Sequence, residues 1–145
     1  MLIWLNSNLL EFILIENIEF VKHLCIKQEG NSLILEPKKE LLNHTGSIHA
    51  GAIYTLAESQ SGLCLIESFG TSNAKALLRS SSIKYKAEAK SRLIASCQIT
   101  PEDKEKFTAQ LTKRGKALID VTVTIFDSNN LIVAQTAFSW FVVKV

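Results

Sequence analysis

The chain has 145 residues, 47% of them hydrophobic and 21% charged, with a formal net charge of +2. That length and composition fit one globular domain with a single core and exclude a disordered chain. So small a positive excess makes no electrostatic case for nucleic acid as a partner.

Cys25, Cys64 and Cys97 are odd in number, widely spaced and form no CxxC pair. Neither a disulfide framework nor a metal site is implied. Each lies in an apolar run, where a free thiol behaves as a small hydrophobe, and the expected home is a reducing cytoplasm.

The first stretch, "MLIWLNSNLLEFILIENIEF", is apolar but interrupted by Asn6, Asn8, Glu11, Glu16 and Asn17. A spanning helix needs about 20 mostly apolar residues, and a signal peptide needs a basic leader and a small-residue cleavage site. Lys and Arg are missing from its polar face, so no membrane partner is expected. The pattern predicts a helix over 9–22, within an N-terminal helical segment (1–20) packed on the domain or on a partner subunit.

Downstream, "HLCIKQEGNSLILEP" reads as two short strands turning at Glu29-Gly30-Asn31, because Gly and Asn tolerate the positive φ of a tight hairpin. A polar loop leads into a helix over about 48–68, stopped by Gly70. Then "ALLRSSSIKYKAEA" and "SRLIASCQIT" read as strands. "TPEDKEKFTAQLTKRG" carries a capping Thr100, Pro101 at the first helical position, early acids and a basic last turn before Gly115, which predicts a short inserted helix over about 101–114. Last, "KALIDVTVTIFD" and "LIVAQTAFSWFVVKV" flank the turn Asp127-Ser128-Asn129-Asn130. Val121, Val123 and Ile125 alternate with Thr122, Thr124 and Phe126, as in a half-buried antiparallel strand.

With no repeat, linker or composition break, the reading is one domain over 1–145. Its class is α+β, a curved antiparallel sheet wrapped around a long helix that is apolar nearly all round.

That helix carries Glu58 mid-length. At 100° per residue, Gly51, Thr55, Glu58 and Gly62 share one stripe, while Ala52, Ile53, Leu56, Leu63 and Cys64 fall opposite, interrupted by Gln60. Small residues around Glu58 leave room for another segment or a ligand. A half-buried carboxylate there would have its charge disfavoured, which is a route to a tuned acid or base. A solvated or lysine-paired glutamate is the alternative that the residues alone leave open.

The run Asn43-x-x-Gly46-x-x-His49-x-Gly51, with Glu58 nine residues after the histidine, resembles the hotdog-fold thioesterases. Within them it is similar to the phenylacetate-pathway type and to related domains with an "HAGA…LAE" helix. The likeness runs from about Phe20 to Lys144 and includes "IKY…A" at Ile83–Ala87 and the "IFDSNNLIVAQ" hairpin. Three departures stand out. The family often has His-Gly-Gly where this chain has His49-Ala50-Gly51, many members carry aspartate at Glu58, and a common proline is replaced by Lys86 and Ala87.

The resemblance implies a hotdog sheet of about six strands, a homodimer or homotetramer with sites between subunits, and hydrolysis of an acyl-CoA or acyl-ACP thioester without a metal or other cofactor. It implies Glu58 as general base or nucleophile and the amide near Gly51 as carbonyl polariser. Asn43 would orient water or thioester, and His49 would hold the loop or contact the carbonyl. His49 as a simple loop cap is an equal reading. Ser81, Ser82 and Thr55 fall where substrate would pass, although a serine-rich strand is also ordinary outward polar patterning. Lys84 and Lys86, with Lys90 and Arg92, could meet coenzyme A phosphates or form a solvated strand face.

Two other functions share this fold. A dehydratase or hydratase pairs a loop histidine with a helix carboxylate, and His44 lies fourteen residues before Glu58. However, Thr45-Gly46 and Gly62 replace the aromatic-proline and glutamine of that group. A non-catalytic acyl-ligand-binding domain is the third reading.

Overall fold

The computed structural model describes residues 2–5, 15–70 and 74–145. Its strands are β1 (Leu2–Leu5), β2 (Lys27–Glu29), β3 (Ser32–Leu35), β4 (Ala74–Tyr85), β5 (Leu93–Cys97), β6 (Lys116–Phe126) and β7 (Ile132–Lys144). Its α-helices are α1 (Glu19–His23), α2 (Ala50–Phe69) and α3 (Pro101–Arg114). All seven strands join one antiparallel sheet in the order β1-β4-β7-β6-β5-β3-β2. The sheet packs on α2 through β3, β5, β6 and β7.

Local chemistry places most of these elements where the sequence suggests. The β2–β3 turn uses Gly30 at φ 60°. Thr100 caps α3 by accepting the Asp103 N–H, and Gly115 closes it in the left-handed region. In the β6–β7 turn, Asp127 Oδ1 accepts the N–H groups of Asn129 and Leu131. Gly70 ends α2 at φ 70° and donates its N–H to Ile66 O.

The N-terminal segment departs from the expected helix. Leu2–Leu5 is a strand paired with Ala74–Leu77, Ile15–Asn17 is a 3-10 turn, and α1 spans only Glu19–His23. Residues 6–14 lie outside the described residues, and with them positions 9–14 of the expected 9–22 helix. The first half of β4 is a sheet edge whose unpaired N–H and C=O groups invite an apolar strand, a long-range pairing that helical periodicity does not register. The sheet accordingly has seven strands rather than about six.

Burial of α2 is nearly complete. Ala52, Ile53 and every residue from Thr55 to Leu65 are buried. Three of the four consecutive polar residues Glu58-Ser59-Gln60-Ser61 are 0 to 1% exposed, and Glu58 is 8% exposed. Gln60 is matched at both ends: its Oε1 accepts the Leu33 N–H at 2.7 Å and its Nε2 donates to Asn31 O at 2.8 Å. Ser61 donates to Glu58 O and accepts from Trp140 Nε1. These contacts tie one side of the helix to the β2–β3 hairpin and another to β7.

One irregularity decides which side chains of β4 face the helix. Leu78 pairs with Trp140 but Ser80 pairs with Ser139, so Arg79 is an extra residue. Before this bulge Ala74, Ala76 and Leu78 face inward. After it Ser81, Ile83 and Tyr85 do, opposite the buried Phe138, Thr136 and Ala134. Ser80, Ser82 and Lys84 are thereby turned to the outer face.

Replacing Gln60 by Met keeps the shape and removes both bonds. Leu33 N–H and Asn31 O then lose their partner in the interior, which should cost about 1–3 kcal/mol, read as a lower urea midpoint with an unchanged m-value.

Candidate active site

The site is built around the start of α2. Asn43 orders the preceding loop: its Oδ1 accepts from Thr45 N–H, Thr45 Oγ1 and Ser47 N–H, while its own N–H donates to Ser47 O. Gly46 completes the turn at φ 77°. Ile48 N–H donates to Ala89 O and His49 N–H to Leu41 O, both at 2.7 Å, so the loop is clamped between two other segments.

His49 is the N-cap of α2. Its Nδ1 accepts the Gly51 N–H at 2.9 Å, and its carbonyl accepts from Ala52 and Ile53 N–H. A nitrogen that accepts carries no proton, so the capping ring is the neutral Nε2–H tautomer. The amide singled out as a carbonyl polariser is therefore already occupied by the histidine. His49 is exposed, so this capped end of α2 faces solvent.

Two tyrosines fasten this end of the helix to β4. Tyr54 Oη and Ser81 Oγ lie 2.8 Å apart, and Tyr85 Oη donates to Ala50 O at 3.1 Å. The sequence pattern gives no direct signal for these bonds, because the bulge at Arg79 decides that Ser81 and Tyr85 turn inward. Between the Asn43–Ala50 loop and residues 85–89 lies an open groove of about 370 Å³, lined among others by Asn43, Ala50, Ile53, Tyr85 and Lys86.

Glu58 sits two turns further along α2. Glu58 Oε1 and Ser59 Oγ are the buried side-chain polar atoms without a hydrogen-bond partner among the described residues. Desolvation pushes the Glu58 carboxyl above the ordinary carboxylate range. An unmatched buried carboxylate destabilises a fold, and such atoms are rare enough in native proteins to point to a function. Thr55, on the same stripe, is satisfied within the helix, donating to Gly51 O at 2.9 Å.

The structure thus gathers Asn43, His49, Gly51, Thr55 and Ser81 around the first turns of α2, with Glu58 deeper on the same stripe. Ser82 and Lys84 lie on the outer face, and His44 is exposed in the loop. Lys86 borders the groove, its N–H donating to Val133 O. Lys90 pairs with Glu88, and Arg92 with Glu29 and Glu36. The basic face suggested by spacing is therefore split, part of it spent on ion pairs. No group of His, Cys, Asp and Glu able to hold a metal ion occurs among the described residues. No helix among them is long and apolar enough to cross a membrane.

A curved antiparallel sheet around a long buried helix is the hotdog fold. Residues 22–142 match the family described as Domain of unknown function (DUF4442), and the chain belongs to that family. No curated protein matches the sequence. Among solved structures, a Pseudomonas aeruginosa protein described as a "Probable Thioesterase" superposes with a TM-score of 0.83 at 23% identity, covering 91% of this chain and 92% of that one. A Bacillus halodurans protein solved with CoA gives 0.69 at 19% identity, covering 86% and 75%. A Staphylococcus aureus thioesterase gives 0.68 at 15% identity, covering 86% and 98%.

His49→Ala removes the acceptor for Gly51 N–H. Stability should fall by about 1 kcal/mol, measured by urea denaturation, and His49→Asn, which can still cap, should recover most of it.

Proposed function

We propose that this protein hydrolyses the thioester of an acyl-CoA, with Glu58 as the general base. The observation that carries the reading is the buried Glu58 Oε1, which has no hydrogen-bond partner among the described residues and lies on the same stripe of α2 as Gly51 at the helix start. Thioesterases among the structural neighbours, and one neighbour solved with CoA, support it.

In this reading the carrier side of the substrate occupies the groove and the thioester lies over Thr55. The carbonyl oxygen takes the Gly51 N–H as His49 turns aside, at the helix end that favours negative charge. Glu58 removes a proton from water as the water oxygen bonds to the carbonyl carbon. The C–S bond then breaks and the proton held by Glu58 passes to the thiolate, giving the carboxylic acid and free CoA thiol.

The same reading makes the protein a homodimer. Along Ser80–Tyr85, β4 is paired with β7 on one side, while β1 covers only Ala74–Leu77 on the other. Ser80, Ser81, Ser82, Lys84 and Tyr85 are exposed. An open edge of this kind suits pairing with the same strand of a second copy, which would bring a second wall beside Glu58. Sedimentation equilibrium should return twice the 16.1 kDa chain mass; a monomer at assay concentration would contradict the edge pairing.

An acyl-CoA panel with a thiol-trapping dye tests the reaction. Wild type should release CoA thiol, and Glu58→Gln should lose about 10²–10⁴-fold in kcat/KM. Wild-type kcat/KM should rise with pH through a value above the ordinary carboxylate range, since the base acts ionised. Stability should run the opposite way. A folded-state pKa raised above the unfolded value stabilises fully below the unfolded value and is lost as pH rises through the folded one. Glu58→Gln should therefore melt higher than wild type at neutral pH, which also serves as the folding control. Enoyl-CoA turnover without thiol release would favour a hydratase, and binding without turnover a carrier of acyl ligands.

A further inference from the structure

We infer that the far end of α2 holds the tail of a linear acyl group, in an apolar pocket floored by the inserted helix α3. The inference rests on the proposed reaction and adds the class of acyl group to it.

Glu58, Gly62, Leu65 and Phe69 fall on one line of α2 at i, i+4, i+7 and i+11, within about 60° of each other at 100° per residue. The line starts at the one carboxylate oxygen that is buried and unmatched among the described residues, Glu58 Oε1, on a side chain only 8% exposed. It ends in a second, independent feature, an apolar pocket of about 20 Å³. Leu65 and Phe69 form its α2 wall, Ala74 and Ala76 its β4 wall, and Phe107 and Leu111 of α3 its floor.

The walls are suited to a chain that enters lengthwise. Ala74 and Ala76 are the smallest inward side chains of β4 and are 1 to 2% exposed, so the sheet side is flat there. Beyond the bulge the inward residues are Ser81, Ile83 and Tyr85, of which Ser81 and Tyr85 are hydrogen-bonded to α2. Seven to eleven residues separate Glu58 from the pocket, roughly 10–16 Å along the helix. That reach suits an extended alkyl chain and exceeds a single aromatic ring.

The floor is the movable part. The Phe69 and Phe107 rings meet at 4.5 Å between centroids. Of α3, Phe107 is buried and Leu111 half-buried, while the rest of the helix is exposed. The pocket as it stands holds about one water, so a tail lengthens it by parting the two rings, and their contact sets the limit of chain length.

A series of non-hydrolysable S-alkyl-CoA thioethers of increasing length, titrated by calorimetry, tests this. Affinity should climb about fourfold per methylene until the tail meets the Phe69–Phe107 floor, then level off. Ala76→Leu should bring that limit to shorter chains. Because a larger side chain at a buried site can disturb folding, wild type supplies the second readout. The terminal methyl of the longest tightly bound thioether should give NOE contacts to the Leu65 and Leu111 methyls and none to Leu33 methyls.

Absence of alkyl-dependent binding, a limit unmoved in folded Ala76→Leu, or NOE contacts elsewhere would overturn the pocket. Thiol release that depends on Glu58 alongside any of these results would leave the hydrolase reading standing without the tail site. Chain-dependent binding and the expected NOE contacts without thiol release would do the reverse.

Discussion

A helix of twenty residues that is enclosed by its own sheet must find a partner inside the protein for each polar side chain it carries, and the architecture of this domain follows from how that demand is met. Gln60 bonds to Asn31 O and Leu33 N–H at the start of β3, Ser61 bridges to Trp140, and Thr55 folds back on Gly51 O. These bonds set how the hairpin and β7 lie against α2. Glu58 is treated differently: its carboxylate enters the same interior with Oε1 unmatched. Leaving a charged group so costs several kcal/mol unless it holds a proton or finds a partner from outside the chain. Gln60, Ser61 and Thr55 are matched while Ser59 Oγ is unmatched as well, and of the two unmatched groups Glu58 is the one whose charge makes burial costly.

The other end of the problem is electrostatic. The first turn of α2 presents N–H groups that favour negative charge, yet in the isolated domain His49 Nδ1 covers the Gly51 amide. The imidazole is exposed, and the Asn43 side chain ties the loop ahead of it through three hydrogen bonds accepted by its Oδ1. The neighbours with the same fold named above are 15 to 23% identical to this chain, so the likeness carries the fold and not the roles of particular residues.

Much of this arrangement was legible in the residues, and the rest was hidden for identifiable reasons. The inserted helix could be bounded from Thr100, Pro101 and Gly115 because capping acts within one turn. The placement of Glu58 on its own stripe followed from 3.6-residue periodicity. The face of β4 could not be read, because the bulge at Arg79 shifts the alternation by one residue: Ser81 turned inward while Ser82 and Lys84 turned outward. The strand at Leu2–Leu5 was hidden too, since its partner lies some seventy residues away in sequence. Lys90 and Arg92 shared a spacing with Lys84 and Lys86 but had acquired glutamate partners from other segments.

What the sequence determined by itself were the local features: helix and turn boundaries, the apolar character of α2, and the isolation of Glu58 among small residues. These depend on interactions within a few residues, which a single chain segment carries in its own pattern. The tertiary structure alone decided that Glu58 Oε1 has no partner among the described residues, that His49 occupies the Gly51 amide, and that Gln60 and Trp140 lock the helix to the sheet. Those are facts about which distant groups meet, and whether a buried polar atom is matched depends on every segment packed around it.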